Sequence, residues 1–198
     1  SKNLNELIKG TRRATELVAQ ILTFSRQAEY EKQPLKIYLI VKEAVKFLRS
    51  SIPSTIDITA QIDSRNTVLA DATQIHQVVM NLCTNAYHAM QETGGTLSVI
   101  LEDVRTDDAS GEICPAGDYV LLEIRDTGCG IPQNDLDRIF DPYFTTKEVT
   151  QGTGLGLAVV DGIIKKHGGC VKVMSRPGSG TVFSAYFPVH EENEAQPS

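Results

Sequence analysis

Residues 170 to 189, "CVKVMSR", "PGSG" and "TVFSAYFPV", restrict the possible folds more than any other stretch. Two runs rich in β-branched and aromatic residues, separated by a Pro-Gly-Ser-Gly turn, predict a β-hairpin. Hairpin strands are antiparallel, so any sheet that includes them cannot be wholly parallel. Upstream, "IDITAQI" (56–62) alternates in polarity as a half-buried strand does, and "TVLAD" (67–71) is a shorter strand. "TLSVILEDV" (96–104) and "DYVLLEIRD" (118–126) are further strands, joined by a polar loop. Helical periodicity marks Leu39 to Arg49, residues 72 to 92 ahead of Gly94-Gly95, and Gly156 to Lys166 ahead of Gly168-Gly169. Strands and helices mix without regular βαβ spacing and without internal repeats. The pattern predicts an α/β fold, a two-layer sandwich with a mixed sheet and helices on one face.

A second piece precedes this one. Apolar residues at Leu4, Leu7, Ile8, Leu17, Val18, Ile21, Leu22 and Phe24 predict one long helix running to about Glu29. Its apolar stripe needs a cover, either the domain that follows or another helix of a hairpin or dimeric bundle. Pro34 bars a continuous helix, so the polar segment from Glu29 to Pro34 reads as a junction. The domains expected are therefore 1–30, 31–190 and a disordered tail, 191–198.

Charge narrows the partners. The net charge is −6 with no basic run, which argues against nucleic acid or an anionic membrane. No apolar stretch approaches the ~18 residues of a membrane span and no leader pattern opens the chain, so a cytoplasmic location is expected. A start inside a helix, without methionine, reads as a fragment. Cys83, Cys114, Cys129 and Cys170 lie far apart in sequence with no CxxC pair, which fits reduced thiols better than a disulfide framework or a zinc site.

The helix expected over 72 to 92 carries Asn81 and Asn85. Spacing of i, i+4 stacks the two amides on one face, one turn apart. Asparagine is a poor helix-interior residue, so a pair in register on a helix otherwise built to pack asks for a reason. "RDTGCGI" (125–131) sets Asp126 at a strand end, followed by Gly128 and Gly130, where missing Cβ atoms let a flat ligand approach the backbone. "QGTGLGL" (151–157) puts Gly152, Gly154 and Gly156 directly before a helix, whose free N–H groups suit phosphate. It lacks the GK[ST] of a P-loop and the GxGxxG of a dinucleotide fold. Between the glycine clusters, residues 141 to 153 have no apolar periodicity and read as a lid.

In order, "NLCTNAYHAM", "DTGCGI", "IFDPYFTTK", "GTGLGL" and "GSGTVFSAYFP" resemble the motifs of sensor histidine kinase catalytic domains, members of the GHKL superfamily. The resemblance covers about residues 34 to 189, and "ILTFSRQ" extends it to the second helix of the dimerisation and histidine-phosphotransfer hairpin. It implies a Bergerat-type ATP fold, with ATP and Mg²⁺ as cofactors. Asn85 would be the Mg²⁺ ligand. Asn81 stands where hydrolytic members carry a glutamate that activates water, a role no amide can fill. Asp126 would anchor adenine, with Thr181 beside it directly or through water, and Gly128, Gly130 and Ile131 would border the base. Gly152, Thr153, Gly154, Leu155, Gly156 and Leu157 would hold phosphates, with Thr146 and Lys147 reaching in from the lid and His88 at the pocket edge.

The family's phosphoacceptor histidine has no counterpart. Of the four histidines, His76 lies in the nucleotide-binding helix, His167 in the "KHGG" turn, and His190 in "HEEN" only imitates the acceptor motif. The resemblance implies a catalytic fragment that phosphorylates a hairpin histidine elsewhere, within a homodimeric kinase that serves a response regulator. Two rivals are a GHKL ATPase using nucleotide as a conformational clamp, against which Asn81 speaks, and an ATP-blind interaction module, against which intact Asn85, Asp126 and the glycines speak.

Overall fold

The computed structural model describes residues 31–107, 114–145 and 153–191. The chain divides into two compact units, Ser1–Glu31 and Lys32–Ser198. The long helix expected to run to about Glu29 lies outside the described residues, as does the tail from residue 192.

Eleven elements make up the described unit, in the order β1 (Gln33–Leu35), α1 (Tyr38–Ser51), β2 (Ile56–Ile62), β3 (Val68–Ala70), α2 (Ala72–Met90), β4 (Gly95–Thr106), β5 (Gly117–Asp126), α3 (Gln133–Leu136), α4 (Gly156–Lys166), β6 (Cys170–Arg176) and β7 (Gly180–Pro188). The main sheet runs β2-β4-β5-β7-β6. Only β2 and β4 are parallel; the other pairs are antiparallel, including the β6–β7 hairpin. The mixed sheet with helices follows the expected two-layer α/β fold.

The helices cover one face because the strands alternate. On β5, Val120, Leu122, Ile124 and Asp126 point to one side and are all buried. Across the register from them, Leu97, Val99 and Leu101 of β4 and Thr181, Phe183, Ala185 and Phe187 of β7 share that side. On α2, Ile75, Val78, Val79, Leu82, Cys83, Ala86 and Met90 recur at helical spacing and are buried against this layer. Burial pushes the Cys83 thiol up to about 12, so it behaves as a small core hydrophobe.

Three details differ from the sequence reading. The segment read as a junction contains β1, which pairs antiparallel with β3, Pro34 opposite Leu69. This sheet has only two strands, so both are edges, where a proline without an N–H is tolerated. The four-residue α3 escaped notice because one turn carries no periodicity. Most consequentially, Cys114 and Cys170 are joined in a disulfide, with Cα atoms 6.0 Å apart, and are not two separate thiols. Separation in sequence is no measure of distance in a sheet. Cys114, just ahead of β5, meets Cys170, which leads β6 across from Tyr186. Tyr186 stacks edge-on against Tyr119 at 6.1 Å, and the Tyr119 hydroxyl donates to the Pro115 carbonyl. Cys83 and Cys129 remain free thiols, as expected.

Candidate nucleotide site

The site forms where α2, the end of β5 and the start of α4 meet. Asp71 caps α2, its carboxylate accepting the Gln74 N–H at 2.9 Å. About three and four turns later, Asn81 and Asn85 lie half-buried on one face of the helix. Asn81 Nδ2 donates to the Gly156 carbonyl at 3.3 Å, which ties the amide face of α2 to the first residue of α4. The Asn85 amide makes no hydrogen bond to any described residue. His88 is half-buried one turn further on, its ring 5.5 Å from that of Tyr87.

Helix α4 begins without a side-chain cap. Its hydrogen-bond ladder opens with Val159 N–H donating to the Leu155 carbonyl, so the N–H groups of Gly156 and Leu157 precede the first intrahelical bond. The Leu155 N–H turns back to the Thr153 hydroxyl at 3.4 Å. Gly154 accepts the Tyr143 N–H at 3.0 Å, and Tyr143 itself has a φ of +68°, a conformation that side chains other than glycine enter at a cost. That clasp brings together the two ends of a segment whose residues Thr146, Lys147 and Gly152 lie outside the described residues. Phe140 and Phe144 pack on the core, and the Arg138 guanidinium sits 4.6 Å over the Phe144 ring.

Asp126 closes β5 and is only 7% exposed. Its Oδ1 accepts the N–H groups of Gly128 at 2.9 Å and Thr181 at 3.3 Å. Burial pushes this carboxyl above the ordinary carboxylate range, and the two N–H bonds pull it partly back. No bond to a described residue falls on Oδ2. The loop beyond threads a narrow gap: Cys129 N–H donates to the Ala89 carbonyl at 3.1 Å, and the Cys129 carbonyl accepts Gly178 N–H at 2.7 Å. A Cβ at Gly128 would stand 2.6 Å from the Ala89 oxygen, and one at Gly130, where φ is +71°, would stand 2.1 Å from the Arg176 oxygen. These glycines are required by the protein's own packing, beyond any ligand. Ile131 is fixed by its N–H, which donates to Ser175 Oγ at 2.8 Å.

The structure thus draws Asn81, Asn85, His88, Asp126, Gly128, Gly130, Ile131, Thr153, Gly154, Leu155, Gly156, Leu157 and Thr181 around one region. Ser175 is the residue sequence reasoning missed. A serine inside a strand carries no signal, and only the β6–β7 register sets it opposite Thr181. Among the described residues, no group of three or more His, Cys, Asp or Glu side chains could hold a metal. A lone amide oxygen on Asn85 fits a hard, hydrated ion that takes its remaining ligands from water and phosphate, as Mg²⁺ does.

The model for "Histidine kinase-, DNA gyrase B-, and HSP90-like ATPase" domains matches residues 70–191. The chain belongs to this family. It is 40% identical over 182 residues to the sensor kinase CckA of Brucella abortus, covering 89% of this chain and 19% of that protein. The ThkA histidine kinase catalytic domain, solved free of nucleotide, superposes with a TM-score of 0.66 at 32% identity, over 80% of this chain and 96% of that one. Full-length ShkA, solved in complex with AMPPNP, superposes with a TM-score of 0.69 at 25% identity, over 91% of this chain and 36% of that one. The chain is therefore an ATPase-type catalytic domain of the kind found in sensor histidine kinases, spanning about a fifth of the length of CckA. Among the described residues, no helix is long and apolar enough to cross a membrane.

Proposed function

We propose that this domain binds ATP with Mg²⁺ and directs the γ-phosphoryl to a histidine on a hairpin helix that the sequence does not contain. The phosphoryl group then passes to the receiver domain of a response regulator, within a homodimeric kinase of which this domain is a cytoplasmic part. Asp126 accepts from the exocyclic amine of adenine through Oδ2, with Thr181 beside it. The free N–H groups of Gly156 and Leu157, with Gly152, Thr153, Gly154 and Leu155, hold phosphate at the positive end of α4, helped by Thr146 and Lys147. Asn85 would hold Mg²⁺ through its amide oxygen, and the ion would supply charge neutralisation at the phosphates. These residues contribute orientation and charge balance, with no covalent step of their own. The AMPPNP complex of ShkA supports the nucleotide reading.

The observation that carries transfer over hydrolysis is Asn81. Its Nδ2 donates to Gly156 at 3.3 Å, so the position is filled by a neutral, hydrogen-bonded amide with no capacity to deprotonate water. Calorimetry should detect MgATP binding, weakened in Asp126→Asn, where a donor partly replaces the acceptor. The purified chain should not label itself, and a separate hairpin protein bearing the acceptor histidine should become labelled with an acid-labile, alkali-stable phosphoramidate. Asn85→Ala should abolish that transfer. Equal ATP affinity in wild type and Asp126→Asn, or self-labelling that maps to His190, would overturn the proposal.

A further inference from the structure

Ser175 Oγ makes three contacts at once. It accepts the Ile131 N–H at 2.8 Å, donates to the Gly180 carbonyl at 3.0 Å and lies 2.9 Å from Thr181 Oγ1. A hydroxyl has one hydrogen and two lone pairs. The Gly180 carbonyl can only accept, so it takes the Ser175 hydrogen. The Ile131 N–H can only donate, so it takes one lone pair. The Thr181 contact is then satisfied only if Thr181 supplies its own hydrogen to the remaining lone pair. Thr181 is 4% exposed and paired across the sheet with Asp126. With its hydrogen spent on Ser175, it has only lone pairs left to offer a ligand, across the register from Asp126, whose Oδ2 is bonded to no described residue.

We infer that Ser175 is a specificity-determining positioning residue. By fixing the Thr181 hydroxyl as an acceptor it makes the base-recognition edge all-acceptor, which selects a 6-amino purine and rejects a 6-oxo purine. This rests on the reading of Asp126 and Thr181 as the base-recognition pair. A 6-amino group brings hydrogens to such an edge, directly or through a water that keeps one hydrogen for ring nitrogen N1. The carbonyl oxygen of hypoxanthine instead meets two acceptors and no donor, a mismatch that binding sites punish strongly when buried. Ser175 touches no base in this scheme. It acts through Thr181, and its anchors on Ile131 and Gly180 keep it from turning.

The test compares MgATP with MgITP by calorimetry on the purified chain. Ser175→Ala releases Thr181 to rotate and donate to a 6-oxo group, so the ATP-over-ITP preference should fall by roughly 3- to 10-fold, the value of one neutral hydrogen bond. Ser175→Thr, which keeps the hydroxyl, should restore the preference. Ser175→Cys, with similar shape and a weak hydrogen-bonding group, reads the same ratio if the alanine variant does not fold. Weakening of both nucleotides by one factor would mean a structural role only and would overturn the inference. So would an unchanged ratio alongside an Asp126→Asn variant that loses ATP, and there the site assignment would stand. If Asp126→Asn bound ATP as wild type does, the site assignment would fail and the inference with it.

Discussion

The Asn81 nitrogen donates to the Gly156 carbonyl, so the side chain belongs to the packing of α2 against α4 as well as to the candidate site. Asn81→Glu changes both roles. An ionised carboxylate has no hydrogen to give, so it would face the Gly156 oxygen as a second acceptor and swing away from it. The structural loss should be modest, about 1 kcal/mol for one hydrogen bond, read as a lower urea midpoint. A carboxylate released toward bound phosphate would also be a general base, a function worth ~10²–10⁴-fold where it is well positioned. Phosphate release relative to phosphoryl transfer should therefore rise in this variant. An unchanged ratio would count against the role given to position 81.

His167 and the disulfide act between elements. His167 ends α4 and is buried; its Nδ1–H donates to the Ile163 carbonyl at 2.7 Å, while Nε2 accepts the Asp71 N–H at 3.2 Å. One neutral tautomer thus links the end of α4 to the cap of the asparagine-bearing helix. Burial pushes its pKa down, and Lys32 and Lys166 add to that, against the Ile163 bond and Asp71, which act the other way. Above about pH 6.5, the ordinary histidine value, folded and unfolded chains both carry a neutral ring and the stabilisation is complete. Below it the unfolded chain takes up a proton that the folded one resists, so stability falls with pH down to the lowered folded value. Urea midpoints should drop between pH 7.5 and 5.5, and the part of that drop due to His167 should vanish in His167→Gln. The second link, Cys114–Cys170, closes a sequence separation of 56 residues. On the chain-entropy account, such a loop stabilises by about 4 kcal/mol through the unfolded state. Thiol reductant should lower the melting temperature of wild type and leave the Cys114→Ser, Cys170→Ser double variant unmoved. A wild type equally indifferent to reductant would refute a stabilising bridge.

For the whole molecule, α2 is the pivot, with one face in the core and an adjoining one in the site. Leu82, fully buried and directly after Asn81, joins the two. Leu82→Ala should cost about 2–5 kcal/mol in urea unfolding, the range for a leucine truncated in a packed core. ATP affinity should also fall, because the helix that carries both amides shifts to fill the cavity. Much of this architecture was legible in the residues. β2, α4 and β6 fall where alternation and periodicity set them, since both report which face of an element is buried. The order of the five motifs likewise marked the family, whose model matches residues 70–191. Contacts between elements distant in sequence were not legible. The Cys114–Cys170 bridge, the pairing of β1 with β3 and the His167 link all join such elements, and the Ser175–Thr181 pair, within one hairpin, depends on a strand register that alternation alone does not set. Sequence determined which faces are apolar and which residues are chemically able to bind nucleotide. Tertiary structure alone decided which of them meet, because strand order, register and helix packing are set by the sum of many small burial energies, and no local pattern records that sum.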